Sequence, residues 1–255
     1  MKRGILVCLS AAVLGMGILW AMEGAFMEEK RQFSANELAI LTANGTPQER
    51  IEHNALLPSE ERLLNALKHA QNYLSTRYPQ DQFVFTGIDH SVLGGNAVTL
   101  FASCSDAPQE SFAVRVAGES QPYEVSESHF SDIKREEVNE MVQDALVQLG
   151  IEAKCDLEIP GLYDDAYDSQ LPVDILIQKG LEIPVSGWVY TQAYSKPDAE
   201  KIRNAVLELG FSGGFRLYGV QGISLKEAFA LPRTQKDFIV QQEYISLPFE
   251  EKEAE

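Results

Sequence analysis

The spacing of apolar residues in this chain changes from a helical to a strand period at Pro79, and this change restricts the fold classes open to it. Before Pro79, apolar side chains recur three or four residues apart, as on one face of an amphipathic helix: Leu63, Leu67, Ala70 and Leu74. After Pro79 the apolar segments are short, rich in β-branched and aromatic residues, and separated by turn-forming residues: "QFVFTGID", "NAVTLFAS", "SFAVRV" and "PYEVSE". This order predicts an α+β fold, in which a helix packs on an antiparallel meander with one solvent-exposed face.

Both periods return in the second half of the chain, so amphipathic helices packed on a further antiparallel meander are expected there. Helices are predicted at 133–149 and at 197–209, and Ser195 and Asp198 have the capping-box spacing at the start of the later helix. The apolar line of this later helix consists of Ile202, Val206 and Leu209. The segment "PVDILIQKG" suits a short helix or a strand equally well, and the other apolar segments predict strands: "EAKCDLEI", "IPVSGWVYTQ", "GFRLYGVQG" and "DFIVQQEYISL".

The chain opens with a segment that suits a membrane anchor, "MKRGILVCLSAAVLGMGILWAMEGAF". Its apolar part, residues 4–22, nearly spans a hydrocarbon core at about 1.5 Å per residue. Lys2 and Arg3 precede it and glutamates follow it, so the positive-inside rule predicts that the rest of the chain is exported. A cleaved signal peptide has the same charge pattern, but neither Ala21 nor Ala25 ends a good A-x-A site. We expect a single-pass anchor at the cell membrane, with secretion after cleavage as the alternative.

The predicted elements divide the chain into five parts. Behind the anchor lies a neck of short helices, in which Ser34 and Glu37 have the capping-box spacing. Two α+β modules follow, and the second is either separate from the first or continuous with it. The predicted parts are 1–26 (membrane anchor or signal segment), 27–57 (helical neck), 58–130 (helix plus meander), 131–249 (second α+β module) and 250–255 (acidic tail).

The charge of the chain excludes one large class of partner. Its 255 residues include 38 acidic and 21 basic side chains, which gives a formal net charge of -17. Such a chain repels nucleic-acid phosphates, and no basic stripe interrupts the acidity. Because hydrophobic residues make up 45% of the chain, a buried core is expected. We therefore expect a globular protein that does not bind nucleic acid.

The stretch "AQNYLSTRYPQDQFVFTG", followed later by "ESFAVRV", resembles uncharacterised exported membrane proteins and lipoproteins of low-GC Gram-positive bacteria. In these proteins an amphipathic helix ending near "YL…Y" leads into a β-meander. The resemblance covers residues 59–130 and implies an extracytoplasmic location and an α+β fold. It includes no catalytic motif, and this chain lacks the lipidation site of the lipoprotein members.

Two of the three cysteines lie in the predicted exported part. Cys104 falls near the end of one predicted strand and Cys155 within another, and a disulfide between them is chemically permitted outside the cytoplasm. Two unpaired thiols are the alternative, because a sequence does not supply the Cα separation that a disulfide requires. Cys8 lies inside the apolar segment, where it behaves as a small apolar residue.

An acidic cluster provides the weak candidates for a metal site: Asp164, Asp165 and Asp168, flanked by Tyr163 and Tyr167. Clustered carboxylates suit hard cations such as calcium, and the tyrosines would suit stacking on a sugar. The spacing differs from the twelve-residue calcium loop, however, and a solvated turn accounts for the same residues. We therefore predict that the protein needs no metal or cofactor.

Aromatic residues mark a candidate partner-binding face. Trp188 and Tyr190 alternate on one predicted strand, and Tyr194 lies just beyond it. Exposed aromatic side chains anchor many protein interfaces, although two aromatics at strand period also occur in ordinary cores.

Sequence motifs for catalysis are missing from the chain. The four histidines have no paired metal-ligand spacing, and there is no nucleophile elbow or phosphate-binding glycine loop. We expect a membrane-anchored extracytoplasmic protein with a non-catalytic binding or assembly role toward an envelope protein or a glycan. The alternative is an exported cell-envelope hydrolase that uses carboxylates of the acidic cluster, one of which would then need a raised pKa.

Overall fold

The computed structural model describes residues 31–89, 96–118, 123–231 and 237–248. The helices are α1 (Ala35–Ala43), α2 (Gln48–Glu52), α3 (Pro58–Arg77), α4 (His129–Gln148), α5 (Val173–Gln178), α6 (Lys196–Glu208) and α7 (Leu225–Ala230). The strands are β1 (Phe83–Ile88), β2 (Ala97–Cys104), β3 (Ser111–Ala117), β4 (Glu124–Glu127), β5 (Ala153–Glu158), β6 (Ile183–Gln192), β7 (Phe211–Val220) and β8 (Ile239–Leu247). The protein is therefore an α+β protein with two four-stranded sheets. The chain divides into two compact units, residues 1–65 and 66–255.

The first unit contains the predicted capping box. The Glu37 backbone N–H donates to Ser34 Oγ at 3.2 Å, and the Ser34 backbone N–H donates to Glu37 Oε2 at 2.8 Å. Each side chain thus satisfies an amide that α1 leaves without an intrahelical partner. A second polar contact in this unit is the ion pair between Arg50 and the buried Glu60, at 3.1 Å.

The predicted membrane anchor, residues 1–26, lies outside the described residues, as does the acidic tail 250–255. Within the part of the chain that the structure describes, no helix is both long and apolar enough to cross a membrane. The anchor therefore stays a prediction.

The first sheet is the predicted antiparallel meander, with its strands in the order β1-β2-β3-β4. Strand β3 alternates as its sequence indicates: Phe112, Val114 and Val116 are buried, while Arg115 between them is exposed. Because successive side chains of a strand point to opposite faces, this alternation gives the sheet one buried and one exposed side.

The second sheet corrects the prediction of a further antiparallel meander. Its order is β5-β6-β7-β8, but β6 and β7 run parallel. A parallel pair needs a crossover connection, which α6 supplies between the two strands. The segment "PVDILIQKG", left open between helix and strand, contains the short helix α5. Both sheets lie in the unit 66–255.

One face of the second sheet holds the largest buried cluster, formed with α4, α5 and α6. Ile202 and Val206 of α6 are fully buried there together with Val185 and Val189 of β6, as the apolar line predicts. Leu209, the third member of that line, caps the helix and is only partly buried.

Candidate functional site

A cleft of about 560 Å³ lies in the unit 66–255, between one side of α3 and the loop that carries the acidic cluster. Five lining residues come from α3, one from β4 and two from the loop: His69, Asn72, Tyr73, Thr76, Arg77, Val125, Asp165 and Asp168. The α3 residues follow one another at intervals of three or one positions, so they share one side of the helix. Seven of the eight lining residues carry a polar group, among them the His69 and Tyr73 rings from α3 and the Asp165 and Asp168 carboxylates from the loop.

Next to the cleft lies a polar group of three residues, Arg77, Tyr78 and Glu127, which we call the Arg77 brace and which reaches the cleft through Arg77. The Tyr78 hydroxyl donates to Glu127 Oε1 at 2.7 Å, and Arg77 Nε lies 3.3 Å from the same oxygen. The other carboxylate oxygen, Oε2, accepts from the Phe130 backbone N–H at 2.9 Å, in the first turn of α4. The Glu127 side chain is fully buried and that of Arg77 is 8% exposed. The brace therefore joins α3, β4 and α4.

The same arginine holds the acidic loop in place. Its two terminal nitrogens donate to the backbone carbonyls of Asp164 and Tyr167, and Nη1 also donates to the Tyr73 hydroxyl at 2.6 Å. Backbone hydrogen bonds between Glu127 and Tyr163 join the start of the loop to β4. Both walls of the cleft are thus attached to one buried guanidinium.

Burial shifts the pKa values of the brace residues and of the neighbouring Tyr73. Burial raises the pKa of Glu127, while Tyr78, the Phe130 amide and Arg77 act in the opposite direction. Burial likewise raises the pKa of both Tyr73 and Tyr78. For Arg77, burial acts to lower the pKa, but Tyr78, Glu127 and Tyr73 together hold it above its usual value. The guanidinium therefore stays charged at any physiological pH.

The predicted acidic candidates lie on the surface of the loop. Asp164, Asp165 and Asp168 are all exposed. Asp164 Oδ1 accepts from the Ala166 backbone N–H at 3.0 Å, and Asp168 Oδ1 accepts from the Gln170 N–H at 2.9 Å. These are the local bonds by which aspartates shape turns. Over the described residues, no group of three or more His, Cys, Asp or Glu side chains is arranged to hold a metal ion.

The two tyrosines of the loop do not offer the sugar-stacking surface that the sequence suggested. Tyr163 is 4% exposed, and its ring centroid lies 4.8 Å from that of Phe130. Tyr167 also packs on Phe130, at 5.7 Å, and its hydroxyl donates to the Glu182 carbonyl. Both rings belong to the packing beneath the loop. The half-exposed rings at the cleft are instead His69 and Tyr73.

Comparison with known proteins adds a distant structural similarity. No protein-family model and no curated protein matches the chain. Among solved structures, the crystal structure of a DUF5037 family protein from Ruminococcus gnavus ATCC 29149 is similar, with 15% sequence identity and a TM-score of 0.32. The similarity covers 71% of this chain and 89% of that chain. At this TM-score it supports no inference about the site.

The two cysteines of the described region are free thiols, so the disulfide that the sequence permits is not formed in this structure. Cys104 Sγ lies 3.6 Å from His129 Nε2, and His129 Nδ1 lies 4.0 Å from Asp132. This order of thiol, imidazole and carboxylate suits an activated nucleophile. However, burial and nearby carboxylates, Asp81 first among them, raise the pKa of Cys104 to about 11, so the unreactive thiol prevails at neutral pH. Burial raises the pKa of Cys155 to about 12.

The three aromatic candidates occupy different environments. Tyr190 is 7% exposed and packs against Tyr218, with ring centroids 5.3 Å apart, so burial removes it from the surface. Tyr194 is partly buried against the main core, and its backbone exchanges two hydrogen bonds with the Gln241 side chain. Trp188 is also partly buried, and it packs on the sheet face opposite α4 and α6, against the cluster that contains Tyr190 and Tyr218.

Sequence reasoning missed the Arg77 brace and the contact between Cys104 and His129. Arg77 and Glu127 are 50 positions apart, and Cys104 and His129 are 25 apart. Neither pair has a local spacing that signals contact, because each contact depends on how the elements pack. The only indication in the sequence was the position of Arg77, at the end of the apolar stripe of α3.

Proposed function

We propose that this chain is a membrane-anchored extracytoplasmic binding protein without catalytic activity, and that its cleft takes a glycan. The observation that carries the proposal is the combination of a cleft held by Arg77 with two exposed aspartates in its lining, Asp165 and Asp168, of which Asp168 accepts a turn hydrogen bond. A cleft of this kind offers hydrogen-bond acceptors at fixed positions.

The arrangement of carboxylates favours binding over hydrolysis. A glycoside hydrolase needs two carboxyl groups facing the scissile bond, one of them held protonated by a raised pKa. The carboxyl with a raised pKa closest in structure to the cleft is Glu127, but it is fully buried. Its two oxygens already accept from Tyr78 and Phe130. It therefore supports the cleft and does not face a ligand.

The lining matches the groups that a sugar presents. The carboxylates of Asp165 and Asp168 accept hydrogen bonds from hydroxyls, and the Asn72 amide both donates and accepts. The Thr76 hydroxyl donates to the Asn72 carbonyl and can accept from a ligand. The half-exposed ring of Tyr73 supplies an apolar face for the C–H side of a pyranose. Because Glu127 neutralises the charge of Arg77, the cleft does not favour an anionic ligand.

Saturation-transfer NMR on the purified full chain tests the glycan proposal. The probes are two neutral oligosaccharides, N,N′-diacetylchitobiose and N,N′,N″-triacetylchitotriose, each offered at millimolar concentration. Transfer to the sugar protons is expected for the wild type and for the control Asp144→Asn, whose carboxylate is exposed on α4 away from the cleft. It should disappear in the double variant Asp165→Asn, Asp168→Asn. If neither probe shows transfer, the glycan proposal is rejected. Cleavage of a probe by the wild type would favour the hydrolase.

The location is tested separately. Membrane fractionation and intact-mass measurement on native material should find residues 4–22 still attached. A soluble mature form beginning near Met22 or Phe26 would reject the anchor and restore a cleaved signal peptide.

A further inference from the structure

The charges in the lining of the cleft beside α3 do not cancel. The lining contains two carboxylates, Asp165 and Asp168, and one permanently charged cation, Arg77. The charge of Arg77 is already paired with that of Glu127, at 3.3 Å. Among the described residues, no cation forms an ion pair with Asp165 or Asp168, and none donates a hydrogen bond to Asp165. The cleft therefore keeps two carboxylates that lack a positive partner within the described structure.

The α3 side of the cleft carries two aromatic rings, His69 and Tyr73. They are four positions apart on the helix, a rise of about 6 Å. The His69 ring packs on Tyr123, with ring centroids 4.4 Å apart, and the Tyr73 hydroxyl accepts from Arg77 Nη1 at 2.6 Å. Both rings are thus held by neighbours before a ligand binds, which reduces the entropy lost on binding.

One of the two carboxylates lies near the Tyr73 ring. The pKa of the Tyr73 hydroxyl is raised, first by burial and also by the negative charges of Asp165 and Glu127. A sugar whose apolar face packs on Tyr73 therefore places its substituents close to the Asp165 carboxylate. The Arg77 guanidinium lies 5.7 Å from the centroid of the same ring, so a cationic substituent is expected beside Asp165 and not over the ring.

The charge of the sugar then affects how well it fits. A neutral sugar offers hydroxyl and amide donors to the carboxylates, whereas an amino sugar offers an ammonium group with three donors and a positive charge. Hydrogen bonds in which the donor and the acceptor are both charged are about twice as strong as neutral ones. The net charge of -17 on the whole chain also attracts a cationic ligand.

We propose that the cleft prefers an amino sugar, a glycan with a free ammonium group, to the same sugar with its amine acetylated. The ammonium group pairs with Asp165 and Asp168, and the pyranose ring packs on Tyr73. This inference rests on the proposed glycan function and adds the chemical class of the glycan.

Two disaccharides that differ only in acetylation test the preference: chitobiose, which has free amines, and N,N′-diacetylchitobiose. They are titrated into the isotope-labelled full chain at about pH 7, where an amine with electron-withdrawing neighbours is still largely protonated. The side-chain amide signal of Asn72, in the cleft lining, reports binding. Chitobiose should bind up to about fivefold more tightly, as for an exposed ion pair. Raising the salt concentration from about 0.05 M to about 0.5 M should reduce this preference, because exposed charges are screened.

Variants show whether the carboxylate is responsible. Asp165→Asn should weaken chitobiose more than diacetylchitobiose, while the control Asp144→Asn, exposed on α4 outside the cleft lining, should keep the wild-type preference. Because Asp165 is exposed and makes no hydrogen bond with a described residue, Asp165→Asn should keep the wild-type melting temperature, which excludes misfolding as the cause.

The outcomes separate this inference from the proposed function. Equal affinity for the two disaccharides, or tighter binding of the acetylated one, would overturn the preference for an amino sugar and leave the glycan proposal standing. Binding of neither disaccharide would reject both. A third probe, acetyl-lysine-N-methylamide, supplies an ammonium group without a sugar. If it binds as tightly as chitobiose, the cleft recognises an amine alone and the amino sugar is rejected.

Discussion

The Arg77 brace predicts that burial, and not the distance between charges, decides which ion pair stabilises this protein. Arg77 lies 3.3 Å from Glu127 with 8% of its side chain exposed. Arg135 lies closer to its partner Asp156, at 2.6 Å, but 45% of its side chain is exposed. If proximity alone mattered, the second pair would be the stronger.

Replacing Arg77 by alanine should cost about 3–5 kcal/mol, the usual effect of leaving a buried charge without its partner. The substitution also removes the donors to the Asp164 and Tyr167 carbonyls and so loosens the acidic loop. Arg135→Ala should cost no more than about 1 kcal/mol, as expected for an exposed pair. Arg77→Lys keeps the charge but not the forked geometry, and its cost should lie between these values.

Urea denaturation followed by fluorescence and circular dichroism measures these differences. With an m-value of about 3 kcal/mol per M, Arg77→Ala should lower the midpoint by about 1 M or more. The Arg135→Ala midpoint should stay within about 0.3 M of the wild type. Equal shifts for the two variants, with unchanged m-values, would refute the argument from burial.

The cost of Arg77→Ala should also depend on pH. Burial raises the pKa of Glu127 above its ordinary value of 4.5, and Arg77 opposes this shift. Without the guanidinium, the folded-state pKa should rise further. A raised pKa gives a contribution to stability that is complete below the unfolded value and is lost as the pH rises through the folded value. The loss on removing Arg77 should therefore be larger at pH 8 than at pH 5. A loss that is independent of pH would show that the two charges are not coupled.

Three other predictions concern the fold and its independence of metals. Ile202→Ala should cost about 2–5 kcal/mol in urea denaturation, since the side chain is fully buried, whereas the exposed Glu200→Ala should change little. Gly187→Ala should destabilise the protein more than Gly180→Ala, although both glycines have positive φ. A Cβ at position 187 would lie 2.2 Å from the Asp156 carbonyl oxygen on the facing strand, whereas a Cβ at position 180 would have no neighbouring atom within 4 Å. Thermal melting should show no gain with calcium or zinc, and a large gain that Asp164→Ala abolishes would contradict the exposed-turn interpretation.

Elements that depend on neighbouring residues could be predicted from the sequence. The capping box of Ser34 and Glu37 was predicted and is confirmed, and the burial of β3 follows the alternation in its sequence, because each depends on residues a few positions apart. The start of α6 also follows its local signal, with the Ser195 N–H donating to Asp198 Oδ2 at 3.0 Å. Helix caps and strand alternation involve residues only a few positions apart, so they can be recognised from the sequence.

Features that join distant parts of the chain were decided by tertiary packing. The parallel pairing of β6 and β7 differs from the predicted meander, because strand direction depends on where α6 crosses the sheet and not on the strand sequences themselves. The buried pairing of Arg77 with Glu127 and the cross-strand alignment of Trp188, Arg216 and Tyr244 likewise join residues with no local relation. The sequence by itself determined most of the segments that form helices and strands, since periodicity and capping are short-range properties. Only the tertiary structure decided which charges are buried together and which aromatics stay in solvent, since burial is a property of the packed elements.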